Sequence, residues 1–336
     1  MPATTHFAFT ICSNNYLGQA MALKKSFLAH NPEFEFYIVL VDTLSAKVDY
    51  SLCEPAKVLP VAELNGIDLN DLIARYYIIE LNTAVKASAF KHIFKENPQA
   101  TSIYYLDPDL YFYSSLAETD RLLQTHSAVL TPHILSPIPR DGKQPSENTF
   151  MRFGIYNLGF IGLNPQYKET ISMLNWWEAR TLKVGYDLPH KGYFVDQLWM
   201  ILAPLFYKDI YVLKTYNYNM APWNLHERRV VAISDNSVTL NDNSQLVFYH
   251  FSKLSEDEDE ISREYDRFTF TDFPLLKQLY KDYQEVLVDC RYADYKRIAI
   301  GYELKAREAN NKAKGSVLKR ATLKLSSGLK KLGDKL

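Results

Sequence analysis

The chain opens with a short apolar run, HFAFTIC (His6 to Cys12), which reads as a buried strand. Beyond it Leu17, Ala20, Leu23, Phe27 and Leu28 recur at helical spacing, and Asn31-Pro32 stops that helix. FEFYIVLVD (Phe34 to Asp42) is a second strand, and strand, helix, strand predicts a parallel α/β start. Residues 81–98 (LNTAVKASAFKHIFKENP) read as a helix ended by Asn97-Pro98. SIYYLD (102–107), AVLTPHI (128–134) and GIYNLGFIGLNP (154–165) read as strands, the last with glycines suited to close approach. An amphipathic helix over 167–183, a mostly apolar helix over 193–207 and a late strand over 245–252 (QLVFYHFS) complete the pattern. The acidic run SEDEDE (255–260) reads as a solvated loop, and no internal repeat or low-complexity linker occurs before about residue 301.

Composition narrows the class. The chain has 336 residues, 47% of them hydrophobic, enough for one α/β domain with additions and a sizeable core. Its 24 Tyr and 18 Phe are mostly packing material, with some available to stack on sugars or bases. A formal net charge of −1 argues against a general nucleic-acid binder. That charge is uneven: Glu303 to Leu336 holds ten Lys/Arg against three Asp/Glu, which leaves the rest of the chain acidic. Cys12, Cys53 and Cys290 are far apart and odd in number, so reduced thiols and a cytoplasmic location are expected. The N-terminal residues lack the basic and apolar regions of a signal peptide, and no 18-residue apolar stretch predicts a membrane span.

The chemistry starts at the end of SIYYLD. Asp107 and Asp109 flank Pro108, whose ring fixes its own φ and restricts the residue before it. Side chains two apart on an extended segment point the same way, so both carboxylates can converge on one hard cation, Mg²⁺ or Mn²⁺, that also holds a diphosphate. An Asx-type turn is the plainer account of a single Asp there. Phosphatases of the haloacid dehalogenase type need Thr or Val two residues after the second Asp, where this chain has Tyr111. Sugar nucleotidyltransferases need a glycine-rich loop after the first strand, where SNNYLGQA has one glycine.

Several segments in order carry a more specific likeness. FTICSNNYLGQAMALKKSFLAHNP, ELNTAVKASAF, YYLDPDLYFY, YNLGFIGLN, VDQLWMILAPLF and VFYHFS, across roughly residues 5 to 255, resemble glycosyltransferases of family 8 and related bacterial surface-polysaccharide transferases. The resemblance implies a GT-A fold: a Rossmann-like, nucleotide-binding mixed sheet flanked by helices. It would span residues 1–300, with a nucleotide-sugar half (about 1–130) and an acceptor half (about 131–300). It also implies Asp107, Asp109 and His250 as ligands of Mn²⁺ or Mg²⁺, and Ser13, Asn14, Tyr16, Lys86, Asp107 and Gly159 around a nucleotide-sugar donor, a UDP-sugar. Asp196, Gln197 and Asn157 would then be catalytic. The first two fall in an apolar segment where an unpaired carboxylate is costly. Trp223, Asn224 and His226, in NMAPWNLHER, combine an aromatic with polar groups and suit a glycan or lipid-linked sugar acceptor. The chain departs from better-known family 8 members after His250: Lys253-Leu254 and the acidic run replace their Gly and Lys-Pro-Trp.

The implied activity is metal-dependent transfer of a sugar from a UDP-sugar, with retention of configuration, in surface-polysaccharide synthesis. A non-catalytic nucleotide-sugar or glycan-binding protein on the same fold is the alternative, and loss of either aspartate would have favoured it. Homo-oligomerisation is compatible with the sequence. In the basic segment Leu318, Ala321, Leu325, Leu329, Leu332 and Leu336 step by three or four, with Lys319, Lys324, Lys330 and Lys331 between them. That pattern predicts an amphipathic helical tail over 301–336. The tail would pack on the domain or on a second subunit, form a disordered basic tail, or lie on an anionic membrane surface, which would make the enzyme peripheral on the inner face of the cytoplasmic membrane.

Overall fold

A computed structural model describes residues 4–234, 237–255 and 257–303. The first strand, β1 (His6–Cys12), leads through a single 3-10 turn (Asn14–Tyr16) into α1 (Leu17–His30). Next come β2 (Glu35–Leu40) and β3 (Lys57–Pro60), then α2 (Leu69–Arg75), α3 (Ile78–Ala84) and α4 (Lys86–Glu96). β4 (Ser102–Leu106), β5 (Leu110–Phe112), α5 (Ala117–Leu123), β6 (Ala128–Pro132), α6 (Glu147–Phe153), β7 (Tyr156–Leu163) and α7 (Lys168–Val184) carry the chain to its middle. The remainder holds β8 (Asp187–Leu188), β9 (Tyr193–Phe194), α8 (Ala203–Phe206), β10 (Ile210–Val212), β11 (Val230–Ser234), β12 (Ser237–Leu240), β13 (Phe248–His250), α9 (Pro274–Asp289) and α10 (Tyr292–Tyr295).

One seven-stranded sheet has the order β10-β6-β7-β4-β1-β2-β3. β1 runs parallel to β2 and β4, β2 to β3, and β10 to β6; β7 alone runs antiparallel to its neighbours β4 and β6. The expected mixed α/β sheet flanked by helices is therefore the observed one. Alternation along the strands sends Ala8, Ile38, Tyr104 and Phe160 to the face covered by α1 and α9. Phe7, Phe9, Val39, Tyr105 and Ile161 point to the face covered by α4 and α7. Both faces are buried, which is why the strands read as apolar runs without alternation.

Three sequence expectations change shape. The helix read over 81–98 is two helices that meet at Val85 (φ −87°, ψ 0°), so Lys86 opens α4. The helix read over 193–207 is broken: β9 is followed by Val195 in the left-handed region (φ 38°), a 3-10 segment (Leu198–Leu202) and the single turn α8. Pro204 has no N–H to give an α-ladder and is accepted in the first turn of α8. The late strand is only β13, which pairs antiparallel with β5 and not with the main sheet. The expected basic helix lies, from residue 304 on, outside the described residues.

Candidate active site

Asp107 follows the last residue of β4 and still belongs to the ladder, its N–H donating to the Gly159 carbonyl of β7 at 2.7 Å. The chain then turns tightly, Leu110 N–H donating to the Asp107 carbonyl at 3.1 Å, and enters β5. β13 lies beside β5 with His250 opposite Leu110, and Phe251 N–H donates to the Asp109 carbonyl at 2.9 Å. Residues about 140 apart in sequence thus meet at the carboxyl end of the parallel strands, where open α/β sheets bind ligands.

Asp107, Asp109 and His250 each offer a ligand atom within 4.8 Å of the other two. His250 Nε2 is 3.1 Å from Asp109 Oδ1 and 3.8 Å from Asp107 Oδ2. Its Nδ1 lies 3.3 Å from Asn219 Oδ1 on the side of the ring away from the carboxylates. Asn219 sits in the left-handed region (φ 58°), which asparagine tolerates. Burial pushes the His250 pKa down, but Asp109 and then Asp107 outweigh it and hold it above the ordinary value. Burial likewise works against ionised Asp109, and His250 overrides it, so the carboxyl stays below the usual range.

The three groups fit a hard divalent cation. Two carboxylates and an imidazole form a suitable donor set. The backbone of β7 also passes close beside them. A Cβ on Gly159 would stand 2.6 Å from Asp107 Oδ2, 2.7 Å from His250 Cε1 and 2.8 Å from Asn157 Oδ1, so no side chain is tolerated at that point of β7.

A second polar group lies behind the first. Tyr105, on the α4 face of β4, donates its hydroxyl to Asp107 Oδ1 at 2.5 Å. The Lys86 ammonium stands 3.9 Å from the centre of the Tyr105 ring, donates to the Leu158 carbonyl at 2.9 Å and pairs with Asp196 Oδ2 at 2.6 Å. Lys86 and Asp196 are each 2% exposed, so the pair is fully desolvated and each charge depends on the other. Burial raises the Asp196 pKa and Lys86 opposes that rise. The breaks at Val85 and Val195 aim these two side chains at each other. Gln197 accepts from Leu158 N–H (3.1 Å) and donates to the Phe153 carbonyl (2.8 Å). It thereby ties the end of α6 to β7. Asn157 Oδ1 accepts from Gly159 N–H at 3.2 Å, and its amide nitrogen meets His133 Nε2 at 3.2 Å.

The other expected residues fall into two groups. Ser13 and Asn14 are buried at the end of β1. Asn14 N–H donates to Asp42 Oδ2 (3.2 Å), its amide donates to the Thr43 carbonyl (2.9 Å) and its Oδ1 accepts from Tyr50 (2.7 Å), while Ser13 donates to Asn15 Oδ1 (2.6 Å). Tyr16 is exposed, and burial of part of its ring followed by the charge of Asp109 raises its phenol pKa. Trp223 and Asn224 are buried, and the His226 side chain is nearly so. Trp223 Nε1 and Asn224 Nδ2 both donate to the His133 carbonyl (3.1 Å each), and Asn224 Oδ1 accepts from Ala221 N–H (2.9 Å). The Trp223 ring meets His250 edge-on at 5.0 Å. His226 Nε2 is bound to the Ser136 carbonyl at 3.1 Å. Trp223 Nε1, Asn224 and His226 Nε2 are thus taken up by backbone groups, while His226 Nδ1 is buried without a hydrogen-bond partner among the described residues. Sequence reasoning missed Tyr105, His133 and Asn219. Only Tyr105 carried a local signal, its place two residues before Asp107.

No protein-family model matches the chain. The uncharacterized protein YfnF of Bacillus subtilis (strain 168) is 26% identical over 274 residues, 81% of this chain and 89% of YfnF. YfnD of the same organism, also uncharacterized, is 26% identical over 254 residues, 74% and 78% of the two chains. Among solved structures, the galactosyltransferase LgtC in complex with donor and acceptor sugar analogs superimposes with a TM-score of 0.49 at 13% identity, covering 84% of this chain and 95% of its own. The bifunctional glycosyltransferase WbbM gives 0.49 at 14% identity, covering 92% and 52%. At this level of similarity the function rests on the side chains of the present protein.

Proposed function

We propose that this protein is a metal-dependent glycosyltransferase that moves a sugar from a nucleotide-diphosphate donor, a UDP-sugar, to a hydroxyl of a glycan or lipid-linked acceptor. The observation that carries the reading is the convergence of Asp107, Asp109 and His250 at the end of the parallel strands, around the point where Gly159 leaves no room for a side chain. Asp107, Asp109 and His250 would hold Mn²⁺ or Mg²⁺. When bound there, the cation supplies positive charge to the departing diphosphate.

The chain's own residues divide the remaining work. Sugar transfer breaks the bond between the anomeric carbon and a phosphate oxygen, forms one to the acceptor oxygen as the acceptor proton passes to the departing diphosphate, and goes through positive charge on the ring. Asp196, paired with Lys86 inside the fold, is the group assigned to that charge. Lys86 in turn is the cation assigned to the diphosphate side. Asn157 and Gln197 orient the donor sugar from β7 and the α6 end. Ser13, Asn14 and Tyr16 line the nucleoside end. Retention of configuration and a place in surface-polysaccharide synthesis complete the proposal, on the strength of the ordered segment resemblance. The test is release of UDP from a panel of UDP-sugars with Mn²⁺, alone and with sugar acceptors, the anomer of the product being read by proton NMR. At least one donor should yield UDP with the intact protein, and Asp109→Asn should lower that rate by 100-fold or more, roughly the loss of a main electrostatic stabiliser. No turnover of any donor would contradict the proposal.

A further inference from the structure

Asp107 has two oxygens, and the fold treats them differently. Oδ1 accepts the Tyr105 hydroxyl at 2.5 Å. Oδ2 is the oxygen nearer His250 Nε2, at 3.8 Å, and the one that looks into the space a Gly159 side chain would fill. A carboxylate at the end of a strand is free to rotate about its last bond unless one oxygen is fixed. Tyr105 is 4% exposed and held on its other side by Phe9, whose ring it meets at 5.3 Å and 61°. Its position is set by packing, and it can impose that position on Asp107. The same ring carries the Lys86 ammonium on its face at 3.9 Å, and that ammonium bonds Asp196 at 2.6 Å. One side chain therefore touches both halves of the site.

We propose that Tyr105 is the positioning residue of the cation site: its hydroxyl locks one oxygen of Asp107 so that the other faces the cation, and its ring seats Lys86. The cation ligands and the Lys86–Asp196 pair are then built as one unit, with Tyr105 as the joint. The inference rests on the cation-site reading above. Groups that orient a metal ligand typically contribute 10- to 100-fold to metal affinity, which sets the expected size of the effect at about that range.

The neighbouring residue supplies a matched control. Tyr104 is fully buried on the opposite face of the same strand, and its hydroxyl bonds another carboxylate, Asp120, at 2.9 Å. Tyr104→Phe removes a comparable buried hydrogen bond without touching the site. The experiment is a Mn²⁺ titration followed by electron paramagnetic resonance of the free ion, on the full chain, Tyr105→Phe and Tyr104→Phe, with thermal unfolding of all three. Tyr105→Phe should bind Mn²⁺ about 10- to 100-fold more weakly, and Tyr104→Phe within about twofold of the parent even if its melting temperature falls as far. Equal Mn²⁺ affinity in Tyr105→Phe and the parent would overturn the inference and leave the cation site standing. An equal loss in Tyr104→Phe would overturn it too, since general loosening would then explain the effect. Absence of Mn²⁺ binding by the parent would overturn the cation site itself.

Discussion

At the scale of single residues, the site gathers buried polar groups, and one of them is His133, whose Nδ1 has no hydrogen-bond partner among the described residues. Its ring stacks on Phe150 at 5.0 Å, and its Nε2 accepts from Asn157. Burial pushes its pKa down to about 3. Because the folded value lies below the ordinary 6.5, the unfolded chain takes up a proton below that pH while the folded chain refuses it. Stability is full above about 6.5 and falls as the pH drops towards 3, by up to about 1.4 kcal/mol per unit from this residue. In urea unfolding measured between pH 6 and 4, the parent should lose stability more steeply than His133→Asn. Parallel lines for the two proteins would show that the ring does not titrate in this way. Asp107 and Asp109 were legible in the sequence because two carboxylates on one short segment are a local pattern. Asn219 and His133 were not, because each acts on a partner at least 24 positions away in sequence, and nothing near either residue announces that partner.

At the scale of elements, β4, β7 and β13 are what make the site. The strands themselves were plain in the sequence as apolar runs, but their arrangement was not: β7 runs antiparallel between two strands of opposite order of appearance, and β13 leaves the main sheet to pair with β5. The segment 193–207 was misread for a physical reason. Its apolar content matches a buried helix, whereas its backbone is diverted at Val195 so that Asp196 can meet Lys86. Trp223 and Asn224, which suit a sugar acceptor by residue type, both donate to the His133 carbonyl, since a Trp beside an Asn satisfies a carbonyl as readily as it stacks on a sugar. The close approach of β7 to the cation ligands makes a definite prediction. Gly159→Ala should abolish Mn²⁺ binding, because the added methyl stands 2.6 Å from Asp107 Oδ2. It should cost only about 1–3 kcal/mol of stability, the usual range for overpacking. Calorimetry for the fold and Mn²⁺ titration for the site separate these effects; unaltered Mn²⁺ affinity would show that Asp107 does not face β7 when the cation is bound.

At the scale of the whole molecule, one sheet runs through both sequence halves, and the site lies where they meet. A parallel α/β start, the strands β1, β2, β4, β6, β7 and β13 and the paired aspartates were legible as pattern, whereas β3 and β10, the two edges of the main sheet, were not. The joining of Asp107 to Lys86 and Asp196 through Tyr105 required the folded chain. None of the helices among the described residues is long and apolar enough to cross a membrane. The central claim is that Asp107, Asp109 and His250 hold a divalent cation that in turn holds the diphosphate of the donor. Isothermal titration of UDP into the protein tests it most directly, with Mn²⁺, with EDTA, and with Asp109→Asn in Mn²⁺. The account predicts binding in the first case and a loss of 100-fold or more in affinity in the other two, about 2.7 kcal/mol. UDP binding of equal strength in EDTA, or by Asp109→Asn, would contradict it.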